Sequence, residues 1–131
     1  MFSLTACLPE PEEAFDAASN IIFQMYDEQL LNVGERFFLL HEPIEGNERA
    51  LENKELYDSL KSLKEKEEVC IVYFVDKNVI LFSKGAYFQS VSGIAKTRNS
   101  PELKRDWGIG FDGGMTYTQI DDNTYKFFDG L

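Results

Sequence analysis

The chain has little of what several common kinds of site require. Its 131 residues include two cysteines, one histidine and one tryptophan. Two cysteines are too few for the disulfide framework of a small secreted protein, so we expect Cys7 and Cys70 to be reduced, buried, apolar side chains. His41 has no second imidazole to join it in a zinc site, and the carboxylates show no ligand spacing. The sequence therefore predicts no metal centre and no cofactor.

Positive charge and long apolar runs are also scarce. The chain has 13 Lys and Arg against 23 Asp and Glu, a formal net charge of −10. Nucleic acids and anionic membrane surfaces both need basic side chains, so we expect neither as a partner. No apolar run approaches the roughly 20 residues that span a bilayer. These shortages favour a cytoplasmic protein that binds a basic protein or a cationic ligand.

Apolar and aromatic residues are plentiful. They make up 44% and 14% of the chain, which suffices for a normal core in a single domain covering residues 1–131. Val69–Ser83 consists of two runs rich in β-branched and aromatic residues around Asp76-Lys77-Asn78, which predicts a buried antiparallel hairpin. With a third strand at Ala86–Ser92, after a turn at Lys84-Gly85, the hairpin becomes a central meander.

The segments on either side predict the rest of the fold. Apolar residues at helical spacing indicate two helices in the N-terminal half, and period-two runs indicate further strands. The predicted elements are helices at Pro11–Leu31 and Asn53–Glu65, a strand at Arg36–His41, and a final hairpin of Met115–Ile120 and Thr124–Phe128. The predicted fold class is α+β, with an antiparallel sheet of about five to six strands packed by the two helices.

The acidic residues are the first candidates for a binding site. Asp27 and Glu28 lie near the end of the first predicted helix, where the dipole favours cations, and no basic residue precedes Arg36. Such violations of local rules tend to mark functional sites, although a solvated acidic face is the plain alternative. The candidate partner-binding carboxylates are Asp16, Asp27, Glu28, Glu42, Glu45 and Glu48 in the N-terminal half, and Asp106, Asp112, Asp121 and Asp122 in the C-terminal loops.

Three aromatic residues are candidate anchors for a partner. Tyr87, Trp107 and Tyr117 are of the types that protein interfaces favour, and core packing is the alternative for each. The loop Trp107–Gly114 also contains a G-x-G-x-x-G pattern. A dinucleotide site needs a helix after this pattern, whereas here a strand follows and Asp112 would oppose a phosphate. The same loop, with Asp112 as its acid, is the basis of an alternative function as a small enzyme or ligand-binding domain.

Signals for catalysis are few. No G-x-S-x-G elbow occurs, and the apolar strand around Cys70 argues against a reactive thiol there. A pairing of Cys70 with His41 in space stays open, since such pairs are not adjacent in sequence. We therefore expect a binding protein and not an enzyme. A structural subunit of a larger assembly is a third alternative.

The whole profile resembles a known family type. It combines an early acidic helix, a meander centred on Val69–Val75, and an aromatic tail rich in glycine and aspartate. In this it resembles the immunity proteins of bacterial polymorphic toxin and contact-dependent growth inhibition systems. The resemblance implies a cytoplasmic, non-catalytic protein that neutralises one cognate toxin domain, often a basic nuclease, by covering its active site with acidic side chains.

Overall fold

The computed structural model describes residues 11–87, 90–107 and 114–130. The elements are α1 (Pro11–Asp27), β1 (Arg36–Phe38), α2 (Glu48–Leu51), α3 (Lys54–Glu67), β2 (Val69–Asp76), β3 (Val79–Tyr87), β4 (Ser90–Thr97), a 3-10 helix (Arg105–Trp107), β5 (Met115–Asp121) and β6 (Thr124–Gly130). The predicted α+β class, with two main helices in the N-terminal half, is confirmed. No helix in these described ranges has the length and apolar character needed to cross a membrane.

One antiparallel sheet of six strands organises the molecule. Its order is β1-β2-β3-β4-β6-β5, so the predicted meander β2-β3-β4 occupies the centre. After β4 the chain skips one position in the sheet and forms β5 at the edge. It then turns back, and β6 fills the position between β4 and β5. Because residues opposite each other in register point to the same side, Phe37, Val72 and Phe82 share one face of the sheet.

The two long helices cover that face, which we call the helix face. The apolar stripe of each helix is buried as its spacing predicts. The main contributors are Phe15, Ala18, Ile22 and Met25 of α1, Leu56, Leu60 and Leu63 of α3, and Phe37, Phe74 and Phe82 of the sheet. The rings of Phe15 and Phe82 meet edge to face at 5.2 Å between centroids. This side of the sheet is therefore a continuous, closed core.

The first helix ends earlier than predicted. It stops at Asp27 and not at Leu31, because Gln29 takes the left-handed conformation with φ of 65°. The backbone N–H of Leu30 donates to the carbonyl oxygen of Met25 at 2.8 Å and closes the helix end. Further along the chain, Gly34 donates its N–H to the Phe74 carbonyl at 2.8 Å.

The region between the two main helices also differs from prediction. The strand predicted to reach His41 ends at Phe38, although the Leu39 N–H still donates to the Cys70 carbonyl at 2.9 Å. The short helix α2 follows, at Glu48–Leu51, where the sequence predicts no helix. Asn47 caps α2 by accepting a hydrogen bond from the Ala50 N–H at 2.9 Å.

The predicted third strand was placed too early in the chain. Lys84 and Gly85 are not a turn but part of β3, which runs to Tyr87, and β4 occupies Ser90–Thr97 instead of Ala86–Ser92. The shift brings Lys96 into a strand. Lys96 is 5% exposed, and its buried ammonium group is satisfied because Thr124 accepts a hydrogen bond from it at 2.6 Å and Asp16 pairs with it.

Candidate functional site

The outer face of the sheet, opposite α1 and α3, has a second and smaller core. Its buried members come from five elements: Val75, Val79, Leu81, Val91, Ala95, Met115 and Phe127. Leu103 and Trp107 pack on them from the segment that follows β4, so the outer face is covered in part by chain that is not a long helix.

A cavity of about 420 Å³ lies on this outer face. We call it the sheet-face cavity, and every strand of the sheet contributes to its wall. Its apolar lining consists of Phe38, Leu40, Ile71, Tyr73, Leu81, Val91, Trp107, Met115 and Phe127, and its polar lining of Arg36, His41, Cys70, Ser83 and Asp129. Its volume and its mostly apolar lining with a few polar groups are typical of small-molecule sites.

Gly93 shapes the wall of the cavity. It pairs in register with Phe127 of β6. A Cβ atom at Gly93 would overlap the carbonyl oxygen of Phe82 and lie 2.9 Å from the Phe127 ring. Glycine thus lets the Phe127 ring, which lines the cavity, approach the sheet backbone.

A cation stands at the β1 end of the cavity. The guanidinium carbon of Arg36 lies 3.9 Å from the centroid of the Tyr73 ring, a cation–π distance that fixes the side chain. Arg36 is exposed, and across the described ranges it forms no ion pair with a carboxylate.

A buried carboxyl group stands at the opposite end. Asp129 of β6 is 1% exposed and lines the cavity. Nearby, the Tyr117 hydroxyl donates to the Lys104 carbonyl oxygen at 2.7 Å. Burial raises the pKa of Tyr117 well above its ordinary value, and the charges of Asp129 and Asp106 raise it further. Tyr117 is therefore a neutral phenol that ties β5 to the covering segment.

Cys70 and His41, whose pairing the sequence left open, both line this cavity, so the fold brings them to the same region. Each has another partner: His41 Nδ1 lies 3.2 Å from Glu45 Oε2, and Cys70 Sγ lies 3.7 Å from the Glu68 carbonyl oxygen, to which it donates. The prediction of a buried Cys70 was wrong. The register shift between Val69 and Ile71 interrupts the alternation there and leaves Cys70 half-buried. Cys7 lies outside the described residues.

Two of the predicted partner-binding acids are joined to the sheet. Arg98 donates from both terminal nitrogens to the Asp27 carboxylate, at 2.7 and 2.8 Å, and Lys96 pairs with Asp16. The hydrogen bonds from Arg98 lower the pKa of Asp27. Both basic residues belong to β4 or directly follow it, far along the chain, which is why local sequence rules missed them. Asp16 and Asp27 therefore attach α1 to the sheet.

Two further predicted acids also have internal partners. Lys64 of α3 donates to Glu42 at 2.7 Å, and this hydrogen bond lowers the pKa of Glu42. Glu45 pairs with His41, as described above. These exposed pairs satisfy side chains on the surface and contribute little to stability.

The other predicted acids are exposed. Glu28 accepts a hydrogen bond from Gln24 at 3.1 Å, and Glu48 begins α2. Asp106 belongs to the 3-10 helix. Asp121 ends β5, and the backbone N–H of Asn123 donates to it and lowers its pKa. The exposed predicted acids are Glu28, Glu48, Asp106, Asp121 and Asp122, and the structure does not gather all of them on one surface element.

The predicted aromatic anchors have different positions. Trp107 is half-buried and lines the cavity, and Tyr117 packs on the same core. Tyr87 ends β3, and its side chain lies outside the described residues, as do Asp112 and the G-x-G-x-x-G segment. Arg36, Tyr73 and Asp129 were not predicted as site residues. The one sequence signal that could have identified them is Arg36, a charged residue at the start of an otherwise apolar strand.

Comparison of the chain with protein-family models, curated proteins and solved structures finds no match. The candidate sites therefore stand on geometry. One is the sheet-face cavity, and the other is the set of exposed acids. Among the described residues, no three His, Cys, Asp or Glu side chains come together as metal ligands.

Proposed function

We propose that this protein is a non-catalytic binding protein that holds a small, largely apolar molecule in the sheet-face cavity. The observation that carries the proposal is the cavity itself, which has a volume of about 420 Å³ and is lined by residues of all six strands and by Trp107. Apolar walls supply most of the binding free energy in such sites, and a few polar groups orient the ligand.

A thermal-shift screen of small apolar molecules tests this function. A ligand that binds only the folded state raises the melting temperature. The matched variant is Ser83→Phe, which fills the cavity from a half-buried position on β3. We expect some compounds to stabilise the wild type and not this variant. Stabilisation of neither protein, or of both equally, would contradict the proposal.

A second candidate function is neutralisation of a basic toxin domain, a nuclease in the first instance, by an acidic cytoplasmic binding protein. It is supported by the net charge of −10 and by four exposed carboxylates that form no ion pair in the described part of the chain. These are Glu28, Glu48, Asp106 and Asp122. Opposite charge would speed association with such a partner, and no nucleic acid or membrane is needed.

A pull-down from the native cells at low and high salt tests this second function. We expect one stoichiometric basic protein that salt releases. Charge reversal by Glu28→Lys and Glu48→Lys should weaken its capture, whereas Glu55→Lys and Glu65→Lys, two exposed positions on α3, form the matched control. Equal loss in both double variants would show a nonspecific charge effect. Capture that is unchanged in both would remove this acidic surface from the account.

A further inference from the structure

We propose that the natural occupant of the sheet-face cavity is an apolar monocarboxylate, with its carboxylate group on Arg36 and its apolar body directed toward Trp107. The inference rests on the proposed function, that the cavity binds a small molecule, and adds the chemical class of that molecule. The cavity wall, the environment of Arg36 and the position of Asp129 each contribute one step.

The wall of the cavity selects an apolar body. Between its two polar ends, the lining is made of aliphatic and aromatic side chains that include Leu81, Val91 and Phe127. A strongly polar molecule such as a sugar would leave hydrogen-bonding groups unsatisfied against this wall, which is costly. A hydrocarbon chain or an aromatic ring has no hydrogen-bonding groups to leave unsatisfied there.

Arg36 selects the polar group of the ligand. Tyr73 covers the flat side of its guanidinium at 3.9 Å, which fixes the group and leaves its N–H edges to form hydrogen bonds. Carboxylates match these edges with two parallel hydrogen bonds. Arg36 has no such acid among the described residues, so a carboxylate from outside is the group that it is best prepared to bind.

Arg98 provides a complete example of this arrangement within the same protein. Its guanidinium carbon lies 4.5 Å from the centroid of the Phe23 ring, and its two terminal nitrogens hold the Asp27 carboxylate at 2.7 and 2.8 Å. At the cavity, the guanidinium of Arg36 stacks on the Tyr73 ring in the same way. A carboxylate from the ligand would complete the arrangement.

Exposure fixes the orientation of the ligand. Strands β1 and β6 are separated by β2, β3 and β4 in the sheet, so Arg36 and Asp129 are four strand spacings apart, about 19 Å along a flat sheet at roughly 4.8 Å per spacing. Arg36 is exposed, whereas Asp129 is 1% exposed, and a charged group is costly to bury. The carboxylate therefore lies at the β1 end, where it also reaches water, and the apolar body extends toward β6.

The test is a titration with three probes of equal chain length: decanoate, decanol and decylamine. Trp107 is the one tryptophan of the chain and lines the cavity, so its fluorescence reports occupancy directly. We expect decanoate to shift the emission saturably and to bind about tenfold more tightly than decanol, since a hydrogen bond to a charged group is stronger than one to a neutral group. Decylamine should bind most weakly.

Variants locate the carboxylate. Arg36→Gln should lower decanoate affinity about tenfold and leave decanol affinity unchanged. Arg36→Lys keeps the charge but loses the two-pronged geometry, so it should lie between wild type and Arg36→Gln. Arg49→Gln, an exposed arginine of α2 outside the cavity, is the matched control and should bind as the wild type does. Melting curves of each variant verify that it is folded.

The possible outcomes separate this inference from the function on which it rests. Equal binding of decanoate and decanol, unaffected by Arg36→Gln, would overturn the carboxylate assignment and leave a cavity-binding protein. Tightest binding of decylamine would also overturn it. Alkylation of Cys70 in a Cys7→Ser background is a second readout, because Cys70 lines the cavity and an occupant should slow its reaction. If all three probes leave both the Trp107 fluorescence and this alkylation rate unchanged, the assignment and the proposed function both fail. Binding that survives in Ser83→Phe would place the probe elsewhere and overturn both.

Discussion

The two faces of the sheet are built from the same alternating strands but differ in how completely their apolar side chains are covered. On the helix face, α1 and α3 place rows of apolar side chains against Phe37, Phe74 and Phe82, and the core closes. On the outer face, the segment around Leu103 and Trp107 covers only part of the apolar surface, and a cavity remains. The difference shows that one set of strands can close a core on one side and leave a cavity on the other.

A matched pair of leucine truncations tests this comparison most strongly. Leu60 of α3 is 0% exposed on the helix face, and Leu81 of β3 is 3% exposed beside the cavity. Leu60→Ala should lower the free energy of unfolding by about 4 kcal/mol and Leu81→Ala by about 2 kcal/mol, because truncation at Leu81 enlarges a space that already exists. Urea unfolding measures both. An equal or larger loss at Leu81 would mean that the outer face is as tightly packed as the helix face.

Gly93→Ala addresses the close approach of Phe127 to the sheet. The added methyl group would overlap the Phe82 carbonyl oxygen and crowd the Phe127 ring. We expect a loss of about 3 kcal/mol in unfolding free energy, at the upper end of overpacking effects. Ser92→Ala, the exposed neighbour in β4, should change stability little. A Gly93→Ala variant as stable as Ser92→Ala would show that the strands move apart without cost.

Tyr117→Phe tests how the outer face is tied down. Loss of the 2.7 Å hydrogen bond to the Lys104 carbonyl should cost about 1 kcal/mol at neutral pH. The pKa of Tyr117 is raised in the folded state above its ordinary value of 10.0, so its protonated form stabilises the fold below pH 10.0 and this contribution is lost as pH rises toward the folded value. The variant should therefore lose less stability than the wild type above pH 10.0. Tyr125→Phe, on β6 of the same face, is the control, and parallel pH profiles for the two variants would contradict the assignment.

Asp27→Asn gives the smallest expected effect and tests the rim of the helix face. The hydrogen bonds from Arg98 hold the pKa of Asp27 below its ordinary value of 3.8, so the carboxylate stabilises the fold above pH 3.8 and this contribution disappears as pH falls through the lower, folded value. The melting temperatures of wild type and variant should thus differ slightly at neutral pH and converge in acid. Asp122→Asn, on the exposed β5–β6 turn, is the matched control, and the same convergence in that variant would contradict the assignment to Arg98.

Local patterns were sufficient to predict most of the elements. The hairpin at Val69–Ser83 and the apolar stripes of α1 and α3 were identified because periodicity and turn residues act within a few positions. The misplaced boundary at Lys84-Gly85 has a longer-range cause. A charged residue and a glycine are typical of a turn, but Lys84 and Ala86 both pair with β4, and Gly85 lies at a register shift between them within β3.

The candidate site was much less accessible to sequence reasoning. Trp107 was selected as an aromatic anchor, yet Arg36 and Asp129 acquire their roles only when β1 and β6 contribute to one cavity. The same applies to the acids. No basic residue lies near Asp27 in the sequence, and its partner Arg98 reaches it only in the folded chain. Groups that depend on partners far along the chain leave no local pattern.

The strand order also has a consequence for the course of folding. β2, β3 and β4 pair in sequence, and β5 pairs with β6 across a short turn, so these contacts close small loops, whereas joining β6 to β4 closes a much longer one. Pulsed hydrogen exchange should therefore find the amides of the central meander protected before those between β4 and β6. The cavity, which needs both β1 and β6, is completed last. Under the proposed function, a ligand would therefore bind only the finished protein and would not guide its earlier assembly.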